Sequence, residues 1–354
     1  MRSAFRICIV LALAPAIALA APAHKARRRA ARPPPAATAP KTCGETCLDG
    51  YVDQVLQAMM DHDPAHAPLA PVVRYTENGE AKTPGQGLWA TATAIAIEGD
   101  GLSSLGRNSS AYRLYFADPA TGQAAYLGAF NEKGVPGMMM LRLKAVAGKV
   151  TEIETVIVRK TDPAPTPPIP AFDPRGFTEP DPVLLAGGEL WAPDIMAAAA
   201  GRYFDGMERG SGAGAPLGAD CVRRDNGIRT TGRTDLPPPD PANPGYRPFA
   251  LGCAAQLDSG LFRGILRVRR RILVEDEDRG LVMAVAMVDH GAPPPPPTPT
   301  KKKRKKGRAD APAPPPATLS TDLMGVVFKM SNGRITRIET IDRSVARDMG
   351  FGWS

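Results

Sequence analysis

The sequence predicts an α+β protein with two tandem domains, each a helix packed in the mouth of a curved antiparallel sheet. Three observations carry this expectation. Residues 43–160 read as one amphipathic helix followed by strand-length runs with turn signals between them. Residues 190–354 repeat that order with three matched blocks, and a proline-rich stretch at 161–189 separates the two halves.

The chain opens with Arg2 and Arg6 ahead of an apolar run from Ile7 to Ala20 that closes in small residues, so residues 1–23 read as a secretory signal cleaved near Ala20 or Ala23. That run is about 14 residues long, short of the roughly 20 needed to span a bilayer, and no later stretch comes close. The protein is therefore expected not to be transmembrane. Residues 24–42 have no apolar periodicity and read as a disordered basic linker.

In the first domain, Leu48, Tyr51, Val52, Val55, Leu56 and Met59 follow helical spacing, with Asp49, Asp53 and Gln57 elsewhere on the wheel. A short strand, Val72 to Glu77, runs into Asn78-Gly79, a hairpin signal because both residues accept positive φ. A Gly-rich middle containing Trp89 leads to strands near 111–117, 123–130, 136–146 and 150–159.

In the second domain, Tyr203-Phe204-Asp205 answers Tyr51-Val52-Asp53. Pro216-Leu217 precedes Asn226-Gly227 by ten positions, as Pro68-Leu69 precedes Asn78-Gly79. Gly333 to Thr340 (Gly-Arg-Ile-Thr-Arg-Ile-Glu-Thr) matches Gly148 to Thr155 (Gly-Lys-Val-Thr-Glu-Ile-Glu-Thr) with five identities in eight. The halves read as a duplication. Residues 291–317, rich in proline and lysine, interrupt the second domain between two apolar runs, Leu281 to Val288 and Leu323 to Met330. They read as a disordered, overgrown hairpin loop, which loop-closure entropy tolerates.

The net charge of +8 and the pI near 9.3 invite a nucleic-acid reading that the distribution contradicts. Residues 1–42 carry eight Lys and Arg and residues 301–308 carry seven, with no acid in either. Setting those aside leaves 29 basic residues against 36 acidic ones. The body is mildly acidic, and no nucleic-acid partner is expected. The run Lys301 to Lys306 suits an anionic envelope polymer or lipid headgroup, or is a solvated loop without a partner.

Cys8 leaves with the signal, and the even set Cys43, Cys47, Cys221 and Cys253 suits an oxidising compartment, periplasmic or secreted. Of three pairings, Cys221 with Cys253 and Cys43 with Cys47 is favoured. The first closes a loop worth about 3–4 kcal/mol in the chain-entropy model. The second spans one helical turn, where the bridge is strained unless the turn is loose. No metal site is expected, since there is neither a second Cys-x-x-Cys nor a histidine pair; no Gly-rich phosphate loop is visible, and no cofactor is expected.

The helix, the acid-Asn-Gly turn and the terminal strand of the form Gly-Lys/Arg-Val/Ile-Thr-x-Ile-Glu-Thr resemble the nuclear transport factor 2-like superfamily, also called SnoaL-like. The whole chain is similar to exported two-domain proteins of a domain-of-unknown-function family. The resemblance covers roughly 43–160 and 190–354 and implies a deep, largely apolar pocket in each cone. The superfamily holds dehydratases, isomerases, epoxide hydrolases, cyclases and non-catalytic binding domains, so it implies no single activity. Its dehydratases use a His and Asp pair on inward strands, and its isomerases Asp with Tyr; neither set aligns here residue by residue.

Four residues are candidates for acid or base chemistry: Glu77, Asp225, Asp289 and His290. Glu77 and Asp225 end strands beside Asn78 and Asn226, where they either face a cavity, desolvation raising their pKa, or serve the turn. Asp289 and His290 end an apolar strand; being adjacent they face opposite sides, so only one can face a cavity. Trp89, Tyr112, Tyr115 and Phe116 are an aromatic group suited either to lining a pocket or to packing a core. Asn78, Asn226, Gln256 and Asp258 could supply polar contacts, with exposure the default for the last two. Glu154 and Glu339 hold matching places on the last strands; Glu154 shares its side with Glu152, which favours the outer face. The functional expectation is an exported protein that binds a small, partly apolar organic molecule, as a cofactorless lyase, dehydratase or isomerase. The alternative is a non-catalytic cell-envelope interaction module.

Overall fold

The computed structural model describes residues 43–96, 112–177, 180–187, 191–236, 244–292 and 319–353. The expected signal, the basic linker, Cys8 and Lys301 to Lys306 lie outside the described residues. Two sheets with a helix on one face of each form an α+β fold of two domains.

The first domain begins with α1 (Glu45–Met60), which buries Leu48, Val52, Val55, Leu56, Ala58 and Met59 along one stripe. The Cys43–Cys47 disulfide ties its first turn, with the Cα atoms 5.3 Å apart. Strand β1 (Leu69–Glu77) turns at Asn78-Gly79 into β2 (Glu80–Lys82); φ is +51° and +81° at the two turn residues. A short helix α2 (Leu88–Thr91) and β3 (Ala92–Ile95) follow. Strands β4 (Arg113–Asp118), β5 (Gln123–Glu132), β6 (Val135–Val146) and β7 (Lys149–Arg159) then form a meander. The sheet order is β2-β1-β7-β6-β5-β3, with β4 also on β5.

The second domain follows α3 (Pro182–Leu185). Its helix α4 (Pro193–Arg209) starts on a proline, ends at left-handed Gly210 and buries Met196, Ala199, Ala200, Tyr203, Phe204 and Met207 at helical spacing. Then come β8 (Leu217–Asp225), β9 (Ile228–Arg229), α5 (Cys253–Asp258), β10 (Ile265–Asp276), β11 (Leu281–His290), β12 (Ser320–Ser331) and β13 (Arg334–Val345). The sheet order is β10-β11-β12-β13-β8-β9. The Cys221–Cys253 disulfide, Cα atoms 5.8 Å apart, ties α5 to β8. Strands β11 and β12 pair from Leu281↔Lys329 to His290↔Ser320, so the Pro/Lys-rich segment joins two neighbouring antiparallel strands.

The sheets depart from the expected all-antiparallel pattern at one place each: β1 pairs parallel with β7, and β8 with β13. The chain crosses from the first hairpin to the far edge of the sheet, and the last strand of the meander returns beside the first in the same direction. Local turn signals do not encode such a pairing.

Strand alternation separates three apolar layers. Tyr115, Tyr126, Leu141, Leu143, Ile153 and Ile157 pack on α1, and Val282, Ala284, Val326, Phe328 and Ile338 pack on α4. The opposite faces meet each other: Leu114, Phe116, Leu127, Met140 and Val156 of the first sheet pack against Met283, Val285, Leu323, Val327 and Ile341 of the second. The order of layers is helix, sheet, sheet, helix, and the tandem copy covers the outer face of its twin.

Each domain's trailing segment crosses to the other domain. After β7, the Asp173 amide donates to the Asn226 carbonyl at 2.9 Å, and a Cβ on Gly227 would lie 2.4 Å from the Asp173 carbonyl. After β13, Gly350 sits over the first turn, where a Cβ on Gly79 would lie 2.7 Å from the Gly350 carbonyl. Trp353 donates to Thr76 Oγ1 at 2.9 Å and stacks on the guanidinium groups of Arg74, Arg142 and Arg271. Arg142 and Arg271 both pair with buried Glu154, which joins β7 to β10 of the other sheet.

Candidate functional site

A pocket opens on the helix face of the second sheet. His290 ends β11, Asp322 lies near the start of β12, and Asp342 lies on β13; all three line it. They share a face by pleating: His290 alternates with Val288 and Ala286, Asp322 with Met324 and Val326, and Asp342 with Thr340 and Ile338, five of these partners belonging to the α4 side of the core. Met207 of α4, Phe262, Ile265, Val288 and Met324 supply apolar wall, and Arg263 stands at the rim. Pro167, Pro168 and Ile169, from the segment between the sheets, close the remaining side. The space including its mouth measures about 310 Å³, but the enclosed part has room for about one water.

The three ionisable groups differ in environment. Asp322 is buried, which opposes its charge, but His290 and the Ser344 and Thr166 side chains outweigh burial and hold it below the ordinary aspartate range. His290 Nε2 lies 3.1 Å from Asp322 Oδ2, at ion-pair distance without hydrogen-bond alignment. Thr166 donates its amide to the same oxygen at 2.9 Å, and Ser344 Oγ donates to Oδ1 at 2.8 Å. Asp342 is the opposite case. Burial, with Asp322 and Asp225 near by, raises its pKa well above the ordinary value, and neither carboxyl oxygen has a hydrogen-bond partner among the described residues. A neutral carboxyl is a hydrogen-bond donor, and a charged aspartate beside an imidazole orients and supports a base. Groups pushed apart in this way are the arrangement from which acid and base roles are drawn.

Asp225 is buried near Asp342. Its carboxylate accepts from Arg223 Nε at 3.0 Å and Arg223 Nη2 at 2.8 Å and from the Thr230 hydroxyl. Gln256, expected to be exposed, is buried at 1 % and donates to the Thr230 and Pro248 carbonyls. The disulfide to β8 draws α5 inward and buries that amide. Asp258 stays exposed and accepts from the Gly212 amide at 2.8 Å.

Asn226 is spent on the backbone. Its Nδ2 donates to the carbonyls of Pro170 at 3.0 Å and Asp342 at 2.9 Å, and its Oδ1 accepts from the Asp342 amide at 2.8 Å. Asn78 does the same in the first domain, where Oδ1 accepts from the Ile157 amide at 2.7 Å. Both act as turn clamps. Glu77 is also engaged, accepting from the Tyr75 hydroxyl at 3.0 Å and the Leu88 amide at 2.8 Å.

The aromatic residues do not form one group. Trp89 and Tyr115 lie in the core under α1, where Trp89 Nε1 donates to the Ala58 carbonyl at 3.0 Å and the Tyr115 hydroxyl to Asp53 at 2.8 Å. Tyr112 and Phe116 lie on the opposite face, between the sheets, because strand alternation sends them there. Asp289 likewise faces away from His290 and pairs with Arg267 at 2.7 Å and Arg269 at 2.9 Å. Glu154 and Glu339 also face the layer between the sheets. Glu339 is buried there near Tyr112 and Arg224, and desolvation, only partly offset by Arg224, pushes its pKa up to about 8.

Of the sequence candidates, His290 lines the pocket, while Asp225, Asn226 and Gln256 do not; Asn226 bonds the Asp342 backbone. Asp322 and Asp342 were not singled out. The signal for Asp342 was in the repeat: two positions past the last matched threonine, the first copy has Ile157 and the second Asp342. By strand pairing, Gly137 and Glu132 are the counterparts of Asp322 and His290. A Cβ on Gly137 would lie 2.3 Å from the Phe130 ring, so in the first domain an aromatic side chain fills that place.

Among the described residues no group of three or more His, Cys, Asp or Glu is arranged to hold a metal ion, and no helix is long and apolar enough to cross a membrane. No curated protein matches the chain. One family model, described as Domain of unknown function (DUF8021), matches residues 193–341, a span that runs from the start of α4 through His290 and Asp322 and ends one residue before Asp342.

Proposed function

We propose that the second domain binds a small, partly apolar organic molecule in this pocket and moves a proton to or from it without a cofactor, as a lyase, dehydratase or isomerase does. The observation that carries the reading is the convergence of His290, Asp322 and Asp342 from three adjacent strands onto one pocket. Asp342 would donate to an oxygen of the ligand, and His290, oriented by Asp322, would take the proton from a neighbouring carbon. The two domains are read as nuclear transport factor 2-like units, of which the second brings three ionisable side chains to its pocket. The first, with Ile157, Gly137 and Phe130 at the matching places, acts as a packed support.

Two disulfides support a periplasmic or secreted location, where Lys301 to Lys306 would meet anionic envelope surfaces. The Phe130 ring that fills the matching place in the first domain favours a second reading, a non-catalytic envelope module made rigid by paired sheets. Incubation of the full chain in D2O with a panel of small ketones, β-hydroxy acids and enoates separates the two. Proton transfer adds deuterium next to the carbonyl of at least one compound, and His290→Gln and Asp342→Asn abolish it. Absence of incorporation across the panel, together with no ligand-dependent rise in Tm, would rule the catalytic reading out.

A further inference from the structure

We infer that residues 163–170 form a displaceable strap over the second-domain pocket, whose departure admits the ligand and frees Asp322 from the amide that holds it. The inference rests on the reading of that pocket as a ligand site. Its first ground is space. The pocket has room for about one water, while its walls present a carboxyl with two unpartnered oxygens and an imidazole–aspartate pair. An organic molecule reaches those groups only if a wall moves.

One wall, the strap, has few backbone donors to hold it. Five of its eight residues are proline, so only Ala164, Thr166 and Ile169 carry a backbone N–H, and Ile169 spends its own on Thr166 within the strap. Among the described residues its polar contacts to the body of the domain run through Ala164, Thr166 and Pro170. Thr166 donates its amide to Asp322 at 2.9 Å, and the Thr166 and Ser320 hydroxyls meet at 2.9 Å. Ser344 Oγ donates to the Ala164 carbonyl at 3.4 Å, and Asn226 Nδ2 to the Pro170 carbonyl at 3.0 Å. Ile169 packs on the core beneath α4, and Pro165 is buried.

The strap is slung between two firm anchors. Upstream, Asp162 accepts from the Arg159 amide at 2.9 Å and pairs with Arg343 at 3.1 Å. Downstream, Asp173 is bonded to Asn226, and Phe172 and Phe177 stack between the sheets with ring centres 5.7 Å apart. A proline-rich segment is stiff, so it swings as one piece between such anchors. Its central contact is with the carboxylate that pairs with His290, so opening the pocket and altering that pair are one motion. The first domain's trailing segment is then the door of the second domain's pocket.

The test reads access to His290 and needs no substrate. In Thr166→Cys/Ser320→Cys the new sulfurs replace hydroxyls already in contact, so oxidation ties the strap shut. The four cysteines at 43, 47, 221 and 253 are already paired. The probe is diethyl pyrocarbonate at fixed pH, with carbethoxylation of each histidine followed by peptide mass; exposed His66 is the internal standard. In wild type and in each single-cysteine variant, His290 is expected to react, more slowly than His66. Locking slows it at least tenfold, and Thr166→Ala/Ser320→Ala quickens it severalfold. The inference is overturned if locked and unlocked chains react alike, or if the double alanine variant leaves the His290 rate unchanged. Because the reagent reports access and not turnover, a moving strap over an inert pocket passes this test and fails the deuterium test. A catalytic pocket under a fixed strap does the reverse.

Discussion

Asp342 occupies in the second domain the place that Ile157 occupies in the first: each donates its amide to an asparagine Oδ1, of Asn226 at 2.8 Å and of Asn78 at 2.7 Å. The same backbone position thus holds an apolar side chain in one copy and a buried, unpartnered carboxyl in the other. A duplicated fold keeps the clamp for structure, while the side chain beyond it is free to differ.

Burying a carboxyl without a partner is unfavourable, so removing it should stabilise the chain. Asp342→Val is expected to raise the unfolding free energy by about 1–3 kcal/mol and to abolish deuterium incorporation. Urea denaturation beside the exchange assay checks both; a less stable variant would mean that Asp342 has a partner that holds it.

Glu339 should make stability depend on pH in one direction. Its pKa is about 8 in the fold against 4.5 in the unfolded chain. Between those values the unfolded chain has lost the proton that the native state keeps, so its contribution is fully present below pH 4.5 and is lost as pH rises through about 8. Glu339→Gln, which cannot ionise, should therefore gain on wild type across that window, reaching of order a few kcal/mol above it. Denaturation midpoints of both chains from pH 5 to 9 decide the matter, and parallel curves would contradict it.

The asparagine clamps should differ in weight. Asn226 makes three side-chain hydrogen bonds to backbone and Asn78 one. Asn226→Ala is expected to cost about 2–4 kcal/mol and Asn78→Ala about 1–2 kcal/mol. Equal losses in guanidinium unfolding would show that turn conformation, common to both, dominates the bonds.

Trp353 holds the trailing segment of the second domain to the first. Trp353→Ala removes its stack on Arg74, Arg142 and Arg271 and the bond to Thr76. A loss of about 2–4 kcal/mol is expected, with cleavage by protease beginning near the C-terminus. An unchanged Tm together with unchanged protease resistance would mean that the stack contributes nothing.

The two disulfides should contribute unequally, since they close loops of 32 and 4 residues. Cys221→Ser/Cys253→Ser is expected to cost about 3–4 kcal/mol and Cys43→Ser/Cys47→Ser about 2 kcal/mol in the chain-entropy model. Thermal unfolding of the two double variants ranks them.

Much of the architecture was legible in the residues. Helical spacing marked α1, two-residue alternation and turn chemistry marked β4 to β7 to within about three residues, and the acid-Asn-Gly and Gly-x-x-Thr blocks marked the duplication. These are local properties: a stripe or a turn is written in residues a few positions apart. Of the three pairings that four cysteines allow, the favoured one formed, including the bridge across one helical turn.

The pocket was not legible to the same degree. His290 could be singled out because histidines are few, but Asp322 and Asp342 look like any acids near strand ends until register places them. Their neighbours come from residues up to 116 positions away, and the segment that closes the pocket runs between the two domains. By itself the sequence determined which face of each element is apolar, where the chain turns and that it folds as two copies of one unit, because those follow from short-range spacing. Only the tertiary structure decided that the copies pack sheet against sheet, that β1 and β8 lie parallel to the last strands, and that three ionisable groups share one pocket. Long-range pairing and burial determine those, and no local pattern carries them.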